Sequence, residues 1–219
     1  GEDLVAVYNI YPQNVFNVVS PVDRGIIKPE DLKGKTIGVY SLSSGTRQNL
    51  QVLLHQVGLT EDDVNIEVTG LLNFAPVIQG QVDATAATDT GLYVGGLKGL
   101  GDVNVINVKD SLNVPSDMFV VTRSYYNANK PLLRRFLTAY RDSAAWMIKD
   151  PSEAAKVAVE RSINGRDEAI NLEIIKIRNI SAQSATTKAR GLGHFDIDLL
   201  QKGADTFYEL GLIEAKLNM

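Results

Sequence analysis

IGVYSLSSGTRQNLQVLLHQVGL, residues 37 to 59, is the stretch on which the reading of this chain turns. A short apolar run with Ile37 and Val39 enters a polar turn, Ser41 to Thr46, and a periodic segment follows. Leu50, Leu53, Leu54 and Val57 recur at helical spacing, and Gly58 supplies a left-handed stop. The order is strand, serine-rich turn, helix. Such a turn can hold a phosphate, present a nucleophilic serine, or bind a small polar ligand on bare backbone N–H groups.

Two of these options fail on the residues present. A phosphate-binding P-loop needs G-x-x-x-x-G-K-[ST], but Gly45 is followed by Thr46 and Arg47 with no lysine. A nucleophile elbow needs G-x-S-x-G; Ser43 has Gly45 two positions on, yet Ser41 stands where the first glycine belongs. The chain has two histidines. His55 shares its helix face with Gln48 and Gln51, opposite the leucines, and His194 lies in a loop, GLGHFD. What remains is the helix N-terminus, with unpaired N–H groups and about half a positive charge. Ser43, Ser44 and Thr46 add hydroxyls there, and Gly45 allows close approach. Simple N-capping by one serine is the competing explanation. Arg47 fits either an anionic or carbonyl-bearing ligand or a plain surface position.

Outward from this stretch the pattern alternates. Strands are predicted at 4–11, 15–20, 35–40, 64–69, 82–88 and 103–108, with short helices near 74–80 and after 88. This β-α alternation predicts a mostly parallel sheet covered by helices. From 117–123 (DMFVVTR) the character changes to one strand and then helices at 130–149, 151–161, 167–181 and 196–210. Pro131 sits in the first turn of the long helix, where its missing N–H does no harm. The two ends of the chain thus offer three strands, near 4, 15 and 118, to about four helices, a thin sheet for that much apolar surface.

The bulk numbers exclude several classes. The chain has 219 residues, a net charge of −4 and no cysteine, with a pI near 5.3. That balance argues against nucleic-acid binding. Disulfides and cysteine-based zinc sites are impossible. No run approaches the roughly 20 apolar residues of a membrane span. No His/Asp/Glu cluster has metal-ligand spacing, so neither metal nor cofactor is expected.

VSPVDRGIIKPEDLKGKTIGVYSLSSGTRQNLQVLLHQVGL with APVIQGQVDATAATDTG resembles the NMT1/THI5-like substrate-binding proteins of ABC importers, relatives of sulfonate and nitrate binders. The specific pieces are Ile26 with PEDLKGKTIGV, the serine turn, QVGLTEDDV and GQVDA, across residues 18 to 92. The closing DIDLLQKGADTFYELGLI also resembles this family, and SSGT is similar to TRAP-transporter binding proteins of the TAXI type. The resemblance implies an α/β, two-lobe, type II periplasmic-binding-protein architecture. Residues 22–116 would form lobe two, and 1–21 with 117–219 a lobe one lacking its early strands. It implies a small anionic or heteroaromatic ligand captured between the lobes, an ABC permease as partner, and a periplasmic or other extracytoplasmic location. Hinges are expected near 19–23 and 114–118, and an incomplete lobe one predicts self-association.

Ligands of open α/β sheets bind beyond the carboxyl ends of the strands. That rule adds candidates to Ser43, Ser44, Gly45 and Thr46. After the first strand come Tyr11, Gln13 and Asn14; after the fourth, Asn73 and Phe74; after VDATAA, Thr88, Asp89 and Thr90. Asparagine and glutamine would hydrogen-bond the ligand and the aromatic rings would stack on it. Each has a structural alternative: YPQN as a turn, and Phe74 as a core anchor. Asp83 is expected to organise its own turn. Two other functions are compatible with the resemblance. The yeast-type relatives make the thiamine pyrimidine, but with a cysteine-rich motif that this chain cannot have. A ligand-sensing effector domain of a transcription regulator would need a DNA-binding helix pair.

Overall fold

The computed structural model describes residues 3–72, 74–162 and 167–219. In chain order its strands are β1 (Leu4–Tyr11), β2 (Phe16–Pro21), β3 (Thr36–Val39), β4 (Asn65–Val68), β5 (Ala84–Thr88), β6 (Val103–Asn107) and β7 (Asp117–Thr122). Its helices are α1 (Gly45–Gln56), α2 (Ala75–Ile78), α3 (Asp89–Leu97), α4 (Arg123–Lys149), α5 (Pro151–Arg161), α6 (Glu168–Ser181), α7 (Ala185–Arg190) and α8 (Ile197–Glu209). The chain divides into unit 1, Gly1–Gln13 with Pro115–Asp196, and unit 2, Asn14–Val114 with Ile197–Met219.

Unit 2 is a five-stranded sheet in the order β4-β3-β5-β2-β6. β3 pairs parallel with β4 and β5, whereas β2 runs antiparallel to both its neighbours, β5 and β6. The expected parallel sheet is therefore interrupted by one reversed strand. Consecutive residues of a strand face opposite ways, and β2 shows both faces covered. Val18 packs with Ile37, Leu50, Leu53 and Ile106 on one side. Val19 packs with Phe74, Val77, Val82 and Leu100 on the other.

This pairing corrects two boundaries. β2 was expected in the terminal lobe, but a strand whose Val18 and Val19 are 1% and 0% exposed is an interior strand, and the sheet that buries it is that of unit 2. The C-terminal helix also changes sides. Phe207 and Leu210, in and just after α8, pack on the α1 face of the core. Gly203 on α8 lets Val114 approach so closely that a Cβ there would stand 2.6 Å from Val114 Cγ1.

α1 ends as its sequence predicts. Gly58 has φ +71°, Leu59 N–H donates to Leu54 O and Gly58 N–H to His55 O. These are the two bonds of a Schellman stop. Asp83 organises its turn by accepting from Thr36 N–H at 2.9 Å and pairing with Arg24 at 3.2 Å.

Among its described residues unit 1 holds two strands, not the expected three: β1 and β7, paired antiparallel. One face meets α4 through a ring cluster in which Tyr140 lies edge-on to Tyr8 (5.3 Å) and Phe119 (4.9 Å), and Phe136 to Phe119 (5.3 Å). α4 is longer than expected because a helical turn precedes the proline, and the two pieces meet at non-helical Asn129. Pro131 then occupies the first turn of the second piece. Among the described residues of α4 none is buried. Asn179 of α6, itself buried, ties that helix to α4 by donating to Met147 O at 3.0 Å.

Candidate functional site

β3 and β5 are parallel neighbours in unit 2, so their carboxyl ends lie side by side. The serine turn leaves the first, and Thr88–Thr90 leave the second. Phe16 of β2 stands opposite Thr88 in register, and its ring lies under the start of α1. A Cβ on Gly45 would stand 2.8 Å from Phe16 Cζ. The glycine is needed there by a neighbouring ring, a reason that its sequence context did not reveal.

The hydroxyls of the turn divide into two sets. Ser44 Oγ donates to Ser41 O at 2.6 Å and accepts from Ser41 N–H at 3.2 Å. Thr46 Oγ1 accepts from Tyr40 N–H at 3.0 Å and lies 2.7 Å from Ser44 Oγ. Since the single Ser44 proton goes to Ser41 O, Thr46 is the donor in that last bond. Both hydroxyls are thus spent on the shape of the turn. Ser41 and Ser43 are different: their hydroxyls make one long contact, 3.5 Å, with each other, and Ser43 is exposed.

The backbone of the same turn is left open. Ser44 takes the N-cap position of α1 in an extended conformation, yet no side chain caps the helix. The first-turn N–H groups of Gly45, Thr46 and Arg47 have no intrahelical partner by the geometry of any α-helix. α3 differs, because Thr88 Oγ1 accepts from Gly91 N–H at 3.3 Å and Asp89 Oδ1 from Thr90 N–H at 2.6 Å. Arg47 is held away from a ligand role. Its guanidinium forms a two-point pair with Glu61, at 2.7 and 2.5 Å, and donates to Leu42 O at 2.8 Å. The hydrogen bond to Glu61 holds the Arg47 proton more firmly than usual.

The residues after β1 have other work. Gln13 Nε2 donates to Ile180 O at 3.1 Å and Gln183 O at 2.6 Å, closing the end of α6 within unit 1. Tyr11 has the Arg178 guanidinium over its ring at 5.0 Å. Asn14, buried in unit 2, donates to Asn49 Oδ1 at 2.7 Å and Leu112 O at 3.2 Å, and accepts from Phe16 N–H. Asn49 in turn donates to Gly45 O at 2.9 Å. Gln13 and Asn14 have no amide proton left for a ligand. Phe74 is 4% exposed, with its ring against Gly95 of α3. Asn73 lies outside the described residues.

The sheet edge therefore gathers Ser43, Ser44, Gly45, Thr46, Thr88, Asp89 and Thr90. Sequence reasoning missed Phe16, Ser41, Asn49 and Glu61 around them. Only Asn49 carried a signal, its spacing of four from Gly45 on a helix. His55 pairs with Glu209 at 3.5 Å, and His194 Nδ1 lies 3.0 Å from Gly191 O. Among the described residues no group of three or more His, Asp or Glu could hold a metal ion.

The profile of the NMT1/THI5-like family matches residues 1–154. The chain belongs to that family. It is 24% identical over 192 residues to the riboflavin-binding protein RibY of Chloroflexus aurantiacus, covering 86% of this chain and 54% of that one. It spans about half the length of the curated relatives it matches. Among solved structures, the alkanesulfonate-binding protein SsuA of Xanthomonas axonopodis pv. citri, bound to MOPS, aligns with 98% of this chain and 71% of its own, at TM-score 0.72 and 22% identity. The periplasmic aliphatic sulphonate binding protein SsuA of Escherichia coli aligns with 98% of this chain and 67% of its own, at TM-score 0.74 and 22% identity. The family chain thus has the type II periplasmic-binding-protein fold expected from its sequence.

Proposed function

We propose that this family member is a non-enzymatic solute-binding protein that takes a small anionic or heteroaromatic molecule at the carboxyl edge of the unit 2 sheet. It passes that molecule to the permease of an ABC importer, outside the cytoplasmic membrane. The observation that carries the reading is the uncapped first turn of α1 beside the Ser41 and Ser43 hydroxyls. Free backbone donors with positive partial charge suit a carboxylate, a sulfonate or a ring carbonyl. Arg47, being neutralised by Glu61, leaves the backbone as the reader of charge. Both described histidines have partners other than a serine, which supports binding without turnover. The names of the riboflavin-binding and sulfonate-binding relatives support the two ligand classes. Among the described residues no helix is long and apolar enough to cross a membrane.

The test uses the complete open reading frame, purified and examined by native mass spectrometry for a bound small molecule. Calorimetric titration with an alkanesulfonate and with riboflavin follows. One ligand class is expected to bind, with Ser43→Ala weakening it roughly 10- to 150-fold and leaving stability unchanged. A folded protein that carries no small molecule and binds neither probe would sink the reading, as would turnover of either.

A further inference from the structure

Two faces of the unit 2 sheet reach its carboxyl edge, and α1 stands on one of them. β5 and β6 both run antiparallel to β2, so they point the same way and end at that same edge. There Asn17, the second residue of β2, stands between Ala87 of β5 and Asn107, the last residue of β6. Side chains two apart on a strand share a face. Asn17 therefore lies on the face of Val19, where Ala87, Phe74 and Leu92 of α3 also pack, and not on the α1 face. Asn107, its direct cross-strand partner, shares that face.

Asn17 is chemically out of place in this layer. It is 3% exposed, and its Oδ1 is buried with no hydrogen-bond partner among the described residues. Such an acceptor destabilises the fold, and an apolar side chain would suit the layer of Val19 and Ala87 better. Nearby Asn14, also buried, shows the usual outcome: its amide donates to Asn49 and Leu112 and accepts from Phe16 N–H. A buried polar group left without a partner calls for a functional reason. Asn107 beside it is partly exposed, so a solute can approach the pair from that side.

We propose that Asn17 and Asn107 read the lactam or imide edge of a heteroaromatic ligand, with Asn17 Oδ1 accepting a ring N–H. The inference rests on the solute-binding reading and chooses between its two ligand classes. An ionised sulfonate or carboxylate offers acceptors alone and leaves Oδ1 unanswered. A ring N–H next to a ring carbonyl gives Oδ1 its donor and gives the Asn107 amide its acceptor. Size points the same way. Only β5 separates β3, which leads into the serine turn, from β2, so the two strands lie about 10 Å apart. A ligand that reaches both places is an extended ring system, longer than a short alkanesulfonate.

The experiment titrates the complete open reading frame with riboflavin and with 3-methylriboflavin, in which a methyl group replaces the imide proton. The parent is expected to bind riboflavin about tenfold or more tightly than the methylated ring. Asn17→Leu should bind the two alike, and it should unfold in urea no earlier than the parent, because it removes an unanswered acceptor and no bond. Earlier unfolding of Asn17→Leu would show that the amide serves the fold, and would overturn the proposal. So would a parent that binds both flavins equally, or a preference for riboflavin that survives the substitution. A parent that binds an alkanesulfonate and neither flavin also refutes it. In all of these cases the solute-binding reading stands. A parent that binds none of the probes sinks that reading, and this inference with it.

Discussion

Unit 2 and unit 1 solve burial differently. In unit 2, neighbours on β2 are fully buried against opposite layers, Val18 at 1% and Val19 at 0% exposure. In unit 1 the longest helix of the chain buries none of its described residues, and its Phe136 is half exposed. A sheet covered on both sides leaves its strand ends nowhere to move, because a shift in one layer must displace packed side chains in the other. That rigidity is what a backbone ligand site needs, since uncapped N–H groups discriminate only when their directions are fixed. The ribbon of unit 1 meets on its α4 face a helix with no buried residue among those described. The serine turn sits on the unit that can hold it still.

The largest expected effect tests that contrast directly. Leu53 of α1 is 0% exposed in the unit 2 core, and Leu53→Ala should cost about 2–5 kcal/mol in urea unfolding. Phe136→Ala in unit 1 removes a larger side chain but one half in water already, and should cost only about 1 kcal/mol. Far-ultraviolet circular dichroism follows the whole chain, and Trp146, the single tryptophan, reports unit 1 alone. Equal costs for the two substitutions would mean that the α4 face is covered in solution, and the contrast would collapse.

A smaller effect probes the join between rigidity and the site. Gly45→Ala puts a methyl 2.8 Å from the Phe16 ring. Such overpacking costs about 1–3 kcal/mol, and the ring already packs against the unit 2 core. The double variant Gly45→Ala with Phe16→Leu should recover part of that loss in the same melts. A Gly45→Ala protein as stable as its parent would show that the ring yields freely, and that the turn is less constrained than the packing suggests. Ser44→Ala belongs on the same scale, at about 1 kcal/mol, because its hydroxyl makes turn bonds.

What the sequence disclosed follows the same division. Elements fixed by local chemistry were legible: the strand, turn and helix of residues 37–59, the Gly58 stop, the Asp83 turn and the proline in the long helix. Partners set by topology were not. The residues of β2 read as a strand, but periodicity cannot say which sheet a strand enters. α8 read as a helix, but its stripe does not name the core that Phe207 and Leu210 join. At the site, Gln13 and Asn14 have the chemistry of ligand donors and stand after a strand, so their polarity alone pointed to ligand. Their protons go instead to Ile180, Gln183, Asn49 and Leu112, contacts reached through the fold. Ser43 and Ser44 are adjacent and chemically alike, and only the path of the turn separates the spent hydroxyl from the exposed one.

The smallest effect concerns the ring cluster that stands in for a core in unit 1. Burial against Tyr8 and Phe119, followed by the repulsion of Tyr11, Tyr8 and Asp117, pushes the Tyr140 phenol up to about 12. Its ordinary value is about 10. The neutral form is thus favoured in the fold. Between pH 10 and 12 the unfolded chain gives up this proton while the native state keeps it, so unfolding gains from rising pH. The stability contributed by Tyr140 is fully present below about pH 10 and is lost as pH climbs through 12. Other groups titrate in this range, so the informative quantity is the difference between the parent and Tyr140→Phe. Trp146 fluorescence should show the parent falling more steeply with pH than the variant above pH 10, while the two differ by a constant amount below it. A gap that stays constant through pH 12 would mean that the hydroxyl is solvated, and that the α4 layer shields the ribbon even less than its exposed Phe136 indicates.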